Sequence, residues 1–296
     1  MTRRSAALQL VLVLSFCHVG LAQHTGIFTP TGNMTTARQG HTATLLKDGR
    51  VLITGGSFVD IRDCLKSAEL YDPDTGTFTE TGDVLYARAG HKAILLPDGR
   101  VFIVGGCYPS QISAEVYDPL TGTSTGLGEF PGVWWTGFSP TLLKDGRVLL
   151  SGGLLINRDG LALLYDPTTN KFSTTSGITG ARALSTASLL PDGTVLIAGG
   201  WNSTPWTFPV PPPADAPTEL YNPAADRFED INTGPGRSIY HSATSLTNGK
   251  VLFAEELPTT TASLPNRRQR YMILFQKFLK RPEICRSPRL FIQGRC

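Results

Sequence analysis

The stretch His91–Gly106, HKAILLPDGRVFIVGG, decides the fold because it recurs along the chain. It has an apolar run, an Asp-Gly pair, a second apolar run and a Gly-Gly end. The Gly-Gly pairs of successive copies are spaced by 50, 47 and 47 residues, and a period of this size predicts a repeat architecture. The other copies are HTATLLKDGRVLITGG at His41–Gly56, FSPTLLKDGRVLLSGG at Phe138–Gly153 and STASLLPDGTVLIAGG at Ser185–Gly200.

A fifth copy, HSATSLTNGKVLFA, begins at His241, but Glu255 and Glu256 stand where the Gly-Gly pair is expected.

The pattern of each repeat predicts four β-strands, which we label a to d. An Asp-Gly pair between two apolar runs, strands a and b, predicts a two-residue type I′ hairpin with positive φ at both turn residues. Strand b shows no alternation, so we expect both of its faces to be buried.

Strand c ends at a Tyr-(Asp/Asn)-Pro corner, and strand d contains a phenylalanine in three of the four full repeats. The Pro and the Gly, Asn or Asp that follow are typical of a tight turn. The repeated structural residues are Gly55, Gly56, Gly105, Gly106, Gly152, Gly153, Gly199 and Gly200, together with Tyr71, Tyr117, Tyr165 and Tyr221.

Four-stranded antiparallel units of this kind stack face to face as the blades of a β-propeller. The Gly-Gly pairs, the corners and the Phe of strand d resemble the kelch-repeat family, and within it the galactose oxidase central domain, here of a secreted bacterial type. The resemblance implies an all-β, kelch-type β-propeller over residues 23–257, with four full blades plus a partial fifth and an incomplete ring. Gly26–Gly32 resembles an isolated strand d, which in propellers completes the last blade.

The N terminus has the features of a secretory signal peptide. Arg3 and Arg4 precede an apolar run over Leu8–Phe16, and small residues lead up to Ala22. We predict residues 1–22 to be a signal peptide cleaved after Ala22, so that the protein is secreted or periplasmic. No other segment is apolar over a length that could span a bilayer, so we expect no transmembrane segment.

Residues 258–296 form a basic tail with nine Lys or Arg and one Glu, whereas residues 23–257 contain sixteen Lys or Arg and twenty-three Asp or Glu. The mildly acidic body argues against a nucleic-acid partner. Apolar residues on one face predict a short helix over Asn266–Lys280. The role of the tail is left open between covering an open propeller edge, contacting an anionic membrane surface and being a frame-shifted extension.

The two ends of the repeats differ in their loops. The a–b and c–d turns are short and regular, and we call their end the scaffold end. The b–c loops and d–a connections vary, as binding loops on a rigid frame do, and we call their end the variable end. We expect ligand binding by four tryptophans there, because exposed aromatic faces bind sugar rings or prolines. The alternative is that they pack the loops against the blades. These residues are Trp134, Trp135, Trp201 and Trp206.

Two columns of residues enter strand a from the variable end. The first holds Arg38, Arg88, Trp135 and Arg182. Its arginines are candidate ligand-binding residues that attract anions, with buried structural bonding as the alternative. The second holds His41, His91, Phe138, Ser185 and His241. Because Phe and Ser interrupt it, we expect hydrogen bonds to neighbouring blades and predict no metal site.

Cys64 and Cys107 lie in the b–c loops of adjacent repeats, and an exported chain meets oxidising conditions, so we predict a disulfide between them. No GxSxG, HExxH or P-loop motif occurs. We therefore predict no catalytic residues and no cofactor, although whether the chain is an enzyme is left open.

These features predict a non-catalytic exported binding module that recognises an unknown protein or glycan on its variable end. The first alternative, which the resemblance implies, is a galactose-oxidase-like copper oxidoreductase. Its radical site needs a Cys–Tyr crosslink, a further tyrosine and two histidines, and this chain has no cysteine that marks the crosslink. The second alternative is a truncated propeller fragment without independent function.

Overall fold

The computed structural model describes residues 29–59, 63–106, 113–129, 133–155, 162–178, 182–200, 218–231, 241–257, 269–275 and 283–285. Within these ranges, only the backbone is described at residues 129, 133–136, 154–155 and from 255 onward. The chain divides into a unit of residues 1–31 and a unit from Gly32 to Cys296. The described residues of the first unit, 29–31, contain no strand, and every strand below belongs to the second.

Twenty β-strands form five four-stranded antiparallel sheets, which we call blades 1 to 5, and the described residues contain no helix. The all-β fold predicted from the repeats is confirmed. Blade 1 contains β1 (Thr42–Leu45), β2 (Val51–Thr54), β3 (Ala68–Asp72) and β4 (Thr77–Thr81); blade 2 contains β5 (Lys92–Leu95), β6 (Val101–Val104), β7 (Ser113–Asp118) and β8 (Thr123–Glu129). Blade 3 contains β9 (Val133–Leu142), β10 (Val148–Leu155), β11 (Ala162–Asp166) and β12 (Lys171–Thr174). Blade 4 contains β13 (Thr186–Leu189), β14 (Val195–Ala198), β15 (Glu219–Asn222) and β16 (Arg227–Asp230); blade 5 contains β17 (Ser242–Ser245), β18 (Val251–Leu257), β19 (Gln269–Phe275) and β20 (Glu283–Cys285).

Within each blade the strands pair in chain order, so the a and d strands form the two edges of the sheet. Neighbouring blades contact each other through their a strands: β1 with β5, β5 with β9, β9 with β13, and β13 with β17. No closed ring is detected among the described residues, because β17 and β1 do not pack together as the a strands of successive blades do.

The core lies between successive blades, and strand b supplies most of it. All four residues of β6 are buried, from Val101 to Val104. Ile103 packs with Leu52 of blade 1, whereas Phe102 packs with Leu150 of blade 3. Both faces of strand b are therefore buried, as its lack of alternation predicts, and each such side chain contributes roughly 1.5–3 kcal/mol.

The Asp-Gly turns differ from the type I′ hairpin that the dipeptide predicts. In blade 1, Leu46 N–H donates to Arg50 O at 2.8 Å, Gly49 N–H donates to Leu46 O at 3.2 Å, and Gly49 has φ 89° while Asp48 does not have a positive φ. This is a type I turn followed by a left-handed glycine at a bulge, so the type I′ prediction is wrong. The Asp48 carboxylate accepts Arg50 N–H at 3.1 Å and pairs with its guanidinium at 2.7 Å, which stabilises a turn with one left-handed residue.

Each c–d corner of blades 1 to 4, like each a–b turn, contains a residue with a positive φ. In blades 3 and 4, Asn170 (φ 55°) and Asp226 (φ 45°) take the place that glycine has in blades 1 and 2. The hydroxyl of Tyr165 donates to Asn170 Oδ1 at 2.8 Å, and that of Tyr221 donates to Asp226 Oδ1 at 2.9 Å. Burial raises the pKa of Tyr165 to about 12, so its hydroxyl remains a donor.

Blade 5 takes its outer strands from the basic tail. Strand β18 runs on through Glu255 and Glu256, whereas β2, β6 and β14 end before their Gly-Gly pairs. It pairs with β19 along all seven residues of that strand, so the helix predicted over Asn266–Lys280 is wrong for residues 269–275. The run Tyr271–Phe275 suits a strand as well as a helix, and an unpaired β18 edge offers it backbone partners. Whether the tail is a frame-shifted extension stays a prediction.

Candidate functional site

Contacts between loops identify the two ends of the blades. Arg100, which follows the a–b turn of blade 2, donates through Nη2 to Pro167 O in the c–d turn of blade 3 at 2.8 Å. At the opposite end, Gln39 in the connection into blade 1 and Ser57 in its b–c loop exchange backbone hydrogen bonds of 2.9 and 2.8 Å. These contacts confirm the assignment of the short turns to the scaffold end and of the loops to the variable end.

The arginine column lies just inside the variable end, and in blade 1 it forms a buried ion pair. Arg38 Nη2 lies 2.6 Å from Glu69 Oε1, and both side chains are fully buried. Arg38 Nη1 also donates to Gly55 O at 2.7 Å and to Ser67 O at 2.8 Å. Burial tends to raise the pKa of Glu69, but hydrogen bonds from Thr35 N–H and Arg38 outweigh it and hold that pKa below its usual value.

Blades 2 and 4 repeat this ion pair. Arg88 Nε lies 2.6 Å from Glu115 Oε1, and Arg182 Nη2 lies 2.8 Å from Glu219 Oε2. All four side chains are buried, and burial lowers the pKa of both arginines. The guanidinium groups of the column therefore face carboxylates inside their blades. This is the structural bonding that the sequence left open as the alternative to ligand binding.

Blade 3 has neither member of the pair. Trp135 replaces the arginine and Leu163, which is buried, replaces the glutamate. The positive and the negative residue are thus lost together, which removes two buried charges without leaving one alone. Their joint absence from the third repeat is the sequence signal that predicts the pairing.

The histidine column joins neighbouring blades. His91 Nε2 of blade 2 lies 2.9 Å from Thr42 Oγ1 and 3.1 Å from Thr54 Oγ1 of blade 1. His241 Nε2 of blade 5 lies 2.8 Å from Thr186 Oγ1 of blade 4. The predicted hydrogen bonds between blades are confirmed for these two histidines. Burial lowers the pKa of His91 to about 3, so its imidazole is neutral at ordinary pH.

The Gly-Gly pairs allow the backbones of adjacent blades to touch. Gly56 N–H of blade 1 donates to Arg88 O of blade 2 at 2.6 Å. Gly55 has φ 60°, and a Cβ at this position would lie 2.4 Å from the same carbonyl oxygen. Only glycine fits such an approach, so the repeated pair fixes the spacing of the blades beneath the variable end.

The predicted tryptophan patch is described only in part. Trp134 and Trp135 lie on β9, which has ten residues, whereas the a strands of the other four blades have four. Trp134 pairs with Leu154, beyond the Gly-Gly pair of blade 3, so the inner hairpin of this blade extends further toward the variable end. Trp201 and Trp206 lie outside the described residues. The patch therefore stays a prediction.

Apolar side chains of other residues are exposed at the variable end. Phe58 and Val59 in the b–c loop of blade 1 are 64% and 68% exposed, and Leu85 in the connection to blade 2 is 43% exposed. Gln39 Nε2 donates to Val59 O at 3.1 Å, which ties this loop to the connection into blade 1. Sequence reasoning missed these residues. A bulky apolar pair directly after Gly-Gly-Ser, in a loop, is the signal that identifies them.

The same b–c loop contains a disulfide-bonded cysteine. Cys64 is disulfide-bonded, and its backbone bridges to Ser57 across the loop. The predicted partner Cys107 lies outside the described residues, so the Cys64–Cys107 pairing stays a prediction. The bond restrains the segment on which Phe58 and Val59 lie.

In the part of the chain that the structure describes, no group of three or more His, Cys, Asp or Glu residues is arranged to hold a metal ion. Within that same part, no helix has the length and apolarity needed to cross a membrane.

No protein-family model matches the chain, and no curated protein matches it. The candidate site therefore rests on the geometry of its own loops.

Proposed function

We propose that this chain is an exported kelch-type propeller module that binds a protein or a glycan at its variable end. The Gly-Gly pairs and Tyr-(Asp/Asn)-Pro corners, which recur in blades 1 to 4, support the kelch assignment. The observation that carries the binding role is the contrast between the chemistry of the two ends of the blades.

At the scaffold end, polar groups are paired within the protein. Asp98 and Arg100 form an ion pair of 2.7 Å, and the Arg100 guanidinium also reaches Pro167 O. Asp145 and Arg147 repeat the ion pair at 2.7 Å. These side chains stabilise the turns on which they lie. Their role is therefore structural, and they are not available to bind a ligand.

At the variable end, apolar groups face solvent. Of the five large hydrophobic residues that are exposed in the described part of the chain, Phe58, Val59 and Leu85 lie at this end. Grouped exposed apolar side chains mark interaction sites, whereas isolated ones are ordinary. The extended hairpin of blade 3 adds Trp134 and Trp135 to the same end, and tryptophan contributes large contact area at low entropic cost.

The chemistry at this end favours an uncharged ligand surface. The arginines that could attract anions are paired with Glu69, Glu115 and Glu219 inside the blades. Aromatic and aliphatic faces remain, and these suit the apolar faces of sugar rings or proline-rich peptides. Binding is accordingly expected to depend little on salt concentration.

Export is supported by the N-terminal pattern of residues 1–22 and by the disulfide at Cys64, because disulfides persist in oxidising compartments. The test is N-terminal sequencing of the protein recovered outside the cytoplasm of an expressing bacterium. We expect the mature chain to begin at Gln23. A chain retained in the cytoplasm with Met1 intact would contradict export.

Binding is tested on glycan and peptide arrays with the mature chain and three variants, Phe58→Ser, Trp135→Ala and Trp201→Ala. Leu120→Ser is the matched control, because Leu120 is 90% exposed but lies in a c–d turn at the scaffold end. We expect the three variants to weaken the strongest array signal about tenfold or more, a loss of ~1.4 kcal/mol each. Circular dichroism verifies that each variant is folded. Unchanged binding by all three, or an equal loss in the control, would refute the proposal.

A further inference from the structure

The two end blades each expose a face that is buried in the other blades. We call the incoming face the side of a blade that packs on the preceding blade, and the outgoing face the side that receives the next. On the incoming faces of blades 2, 3 and 4, the first residue of strand b and the tyrosine of strand c are fully buried, namely Val101, Val148, Val195, Tyr117, Tyr165 and Tyr221.

On the incoming face of blade 1, the equivalent Val51 and Tyr71 are only half-buried. Ala43 is exposed and Leu45 is 64% exposed, whereas the equivalent residues of β5 pack against the core between blades 1 and 2. Blade 1 thus presents an apolar sheet face of the kind that a preceding blade covers elsewhere in the chain.

The outgoing face of blade 5 is open in the same way. Leu252 is half-buried, whereas its counterparts Leu52 and Leu196 of blades 1 and 4 are at most 1% exposed. Ser242 and Ala254 are exposed beside it. The chain therefore has one uncovered incoming face and one uncovered outgoing face among its described blades.

Polar groups on these two faces also match each other. A histidine at the start of strand a contacts a hydroxyl of the preceding blade at two internal contacts, His91 with Thr42 and His241 with Thr186. His41 occupies this place on blade 1, and its Nδ1 is buried without a hydrogen-bond partner in the described structure, as are those of His91 and His241, which contact the preceding blade through Nε2. Ser242 supplies a hydroxyl at the register position of Thr42 and Thr186 on blade 5.

We propose that the incoming face of blade 1 binds the outgoing face of blade 5 of a second copy of this chain. In this contact, Ser242 of one copy meets His41 of the other, and Leu252 covers Leu45. A second copy is the occupant because β1 and β17 of one described chain lack the packing that joins the a strands of successive blades. The faces are unlike, so the association is head to tail.

This contact is looser than the contacts between blades within the chain. Glu255 of blade 5 occupies the position that Gly55 has in blade 1. A Cβ built at Gly55 would lie 2.4 Å from Arg88 O of the next blade, so this position leaves no room for a side chain in a close contact between blades. The two copies cannot approach as closely as blades 1 and 2 do. The association is therefore reversible and concentration-dependent.

The oligomeric state tests the proposal. Light scattering after size-exclusion chromatography is measured over a range of concentrations for the mature chain, Leu45→Glu and Leu120→Glu. Leu120, at the scaffold end, is the matched control because it is also an exposed leucine. We expect the mass of the wild type and of Leu120→Glu to rise with concentration, and Leu45→Glu to stay monomeric. A wild type that is monomeric throughout overturns the proposal, and so does an association that Leu45→Glu leaves intact.

Crosslinking distinguishes a second copy from closure of one chain on itself. With Cys285 and Cys296 replaced by serine, a His41→Cys protein is mixed with a Ser242→Cys protein and treated with a short thiol crosslinker. We expect a crosslinked dimer, and no dimer when Asn248→Cys at the scaffold end replaces Ser242→Cys. A His41→Cys/Ser242→Cys double variant that crosslinks within the monomer at high dilution would show closure of a single chain and overturn the proposal.

Discussion

Arg88 and Glu115 form an ion pair inside blade 2, with 2.6 Å between Nε and Oε1 and side chains that are 2% and 0% exposed. The glutamate also accepts Leu85 N–H at 2.6 Å, which anchors the connection between blades 1 and 2. When only one charge of a buried pair is present, it is removed from water without an opposite charge to interact with, and the folded state is destabilised.

Removing one member of this pair is therefore expected to cost more than removing both. Arg88→Met or Glu115→Leu alone should lower the free energy of unfolding by roughly 3–5 kcal/mol. The double variant copies the uncharged chemistry that blade 3 has at these two positions and should recover much of the loss. Urea denaturation of the four proteins measures the cycle. Strictly additive losses would contradict the pairing.

His91 should make the blade 1–blade 2 contact sensitive to acid. The pKa of His91 is about 3 in the folded chain, lowered by burial and then by the charges of Arg88, His41 and Lys92, against 6.5 for the free side chain. A folded pKa below the unfolded one gives stability that is complete above pH 6.5 and is lost as the pH falls toward 3.

The measurement is the free energy of unfolding as a function of pH. In the middle of this window the slope should approach ~1.4 kcal/mol per pH unit for this one group. His91→Gln cannot take up the proton and should flatten the profile by that amount while the other groups titrate as before. Identical profiles for the two proteins would show that the histidine is already charged when the chain is folded.

Gly55 and Gly49 allow a steric clash to be separated from backbone strain. Both have a positive φ, 60° and 89°, but a Cβ at Gly55 would meet Arg88 O at 2.4 Å and one at Gly49 would meet nothing within 4 Å. Gly49→Ala should cost roughly 1–2 kcal/mol from backbone strain. Gly55→Ala should cost at least twice as much, because it also forces two blades apart. Thermal and urea unfolding compare them, and equal costs would exclude the close approach.

The disulfide at Cys64 should link blades 1 and 2 through Cys107. Peptide mapping of the mature chain without reductant is expected to yield one linked peptide that contains both cysteines. Cys64→Ser and Cys107→Ser should then destabilise the chain equally, by about 2–4 kcal/mol, and the double variant by no more than either. A link from Cys64 to Cys285 or Cys296 would disprove the pairing.

The repeat in the sequence predicts the blades well because hairpin, burial and spacing are encoded locally. His91–Gly106 contains both inner strands and the turn between them, and the strands and a turn form at the places that its pattern indicates. The predicted turn type is wrong because Asp-Gly suits two kinds of turn, and in the observed one the Asp48 carboxylate accepts a hydrogen bond from Arg50 N–H. Residues 269–275 formed a strand because a neighbouring edge, and not the local pattern, decides between strand and helix there.

The candidate site was less predictable because its parts come from distant places in the chain. The Arg38–Glu69 pair joins a residue that precedes β1 to a residue on β3, and neither residue alone indicates the other. Phe58 and Val59 have no repeated counterpart, so a search for repeats passes over them. Their exposure follows only from the folded loop, in which Gln39 ties the backbone of Val59 to the blade.

The turns at the scaffold end also offer a way to hold the protein for measurement. Lys47 and Lys144 each donate to a proline carbonyl of the next blade, so coupling reagents that modify lysine would break contacts between blades. With Cys285 and Cys296 replaced by serine, a single thiol introduced at Asn248, in the last of these turns, avoids both lysines. Molecules attached to a sensor surface through that thiol would all have the same orientation, with the variable end, where Phe58 and Trp134 lie, directed into the solution.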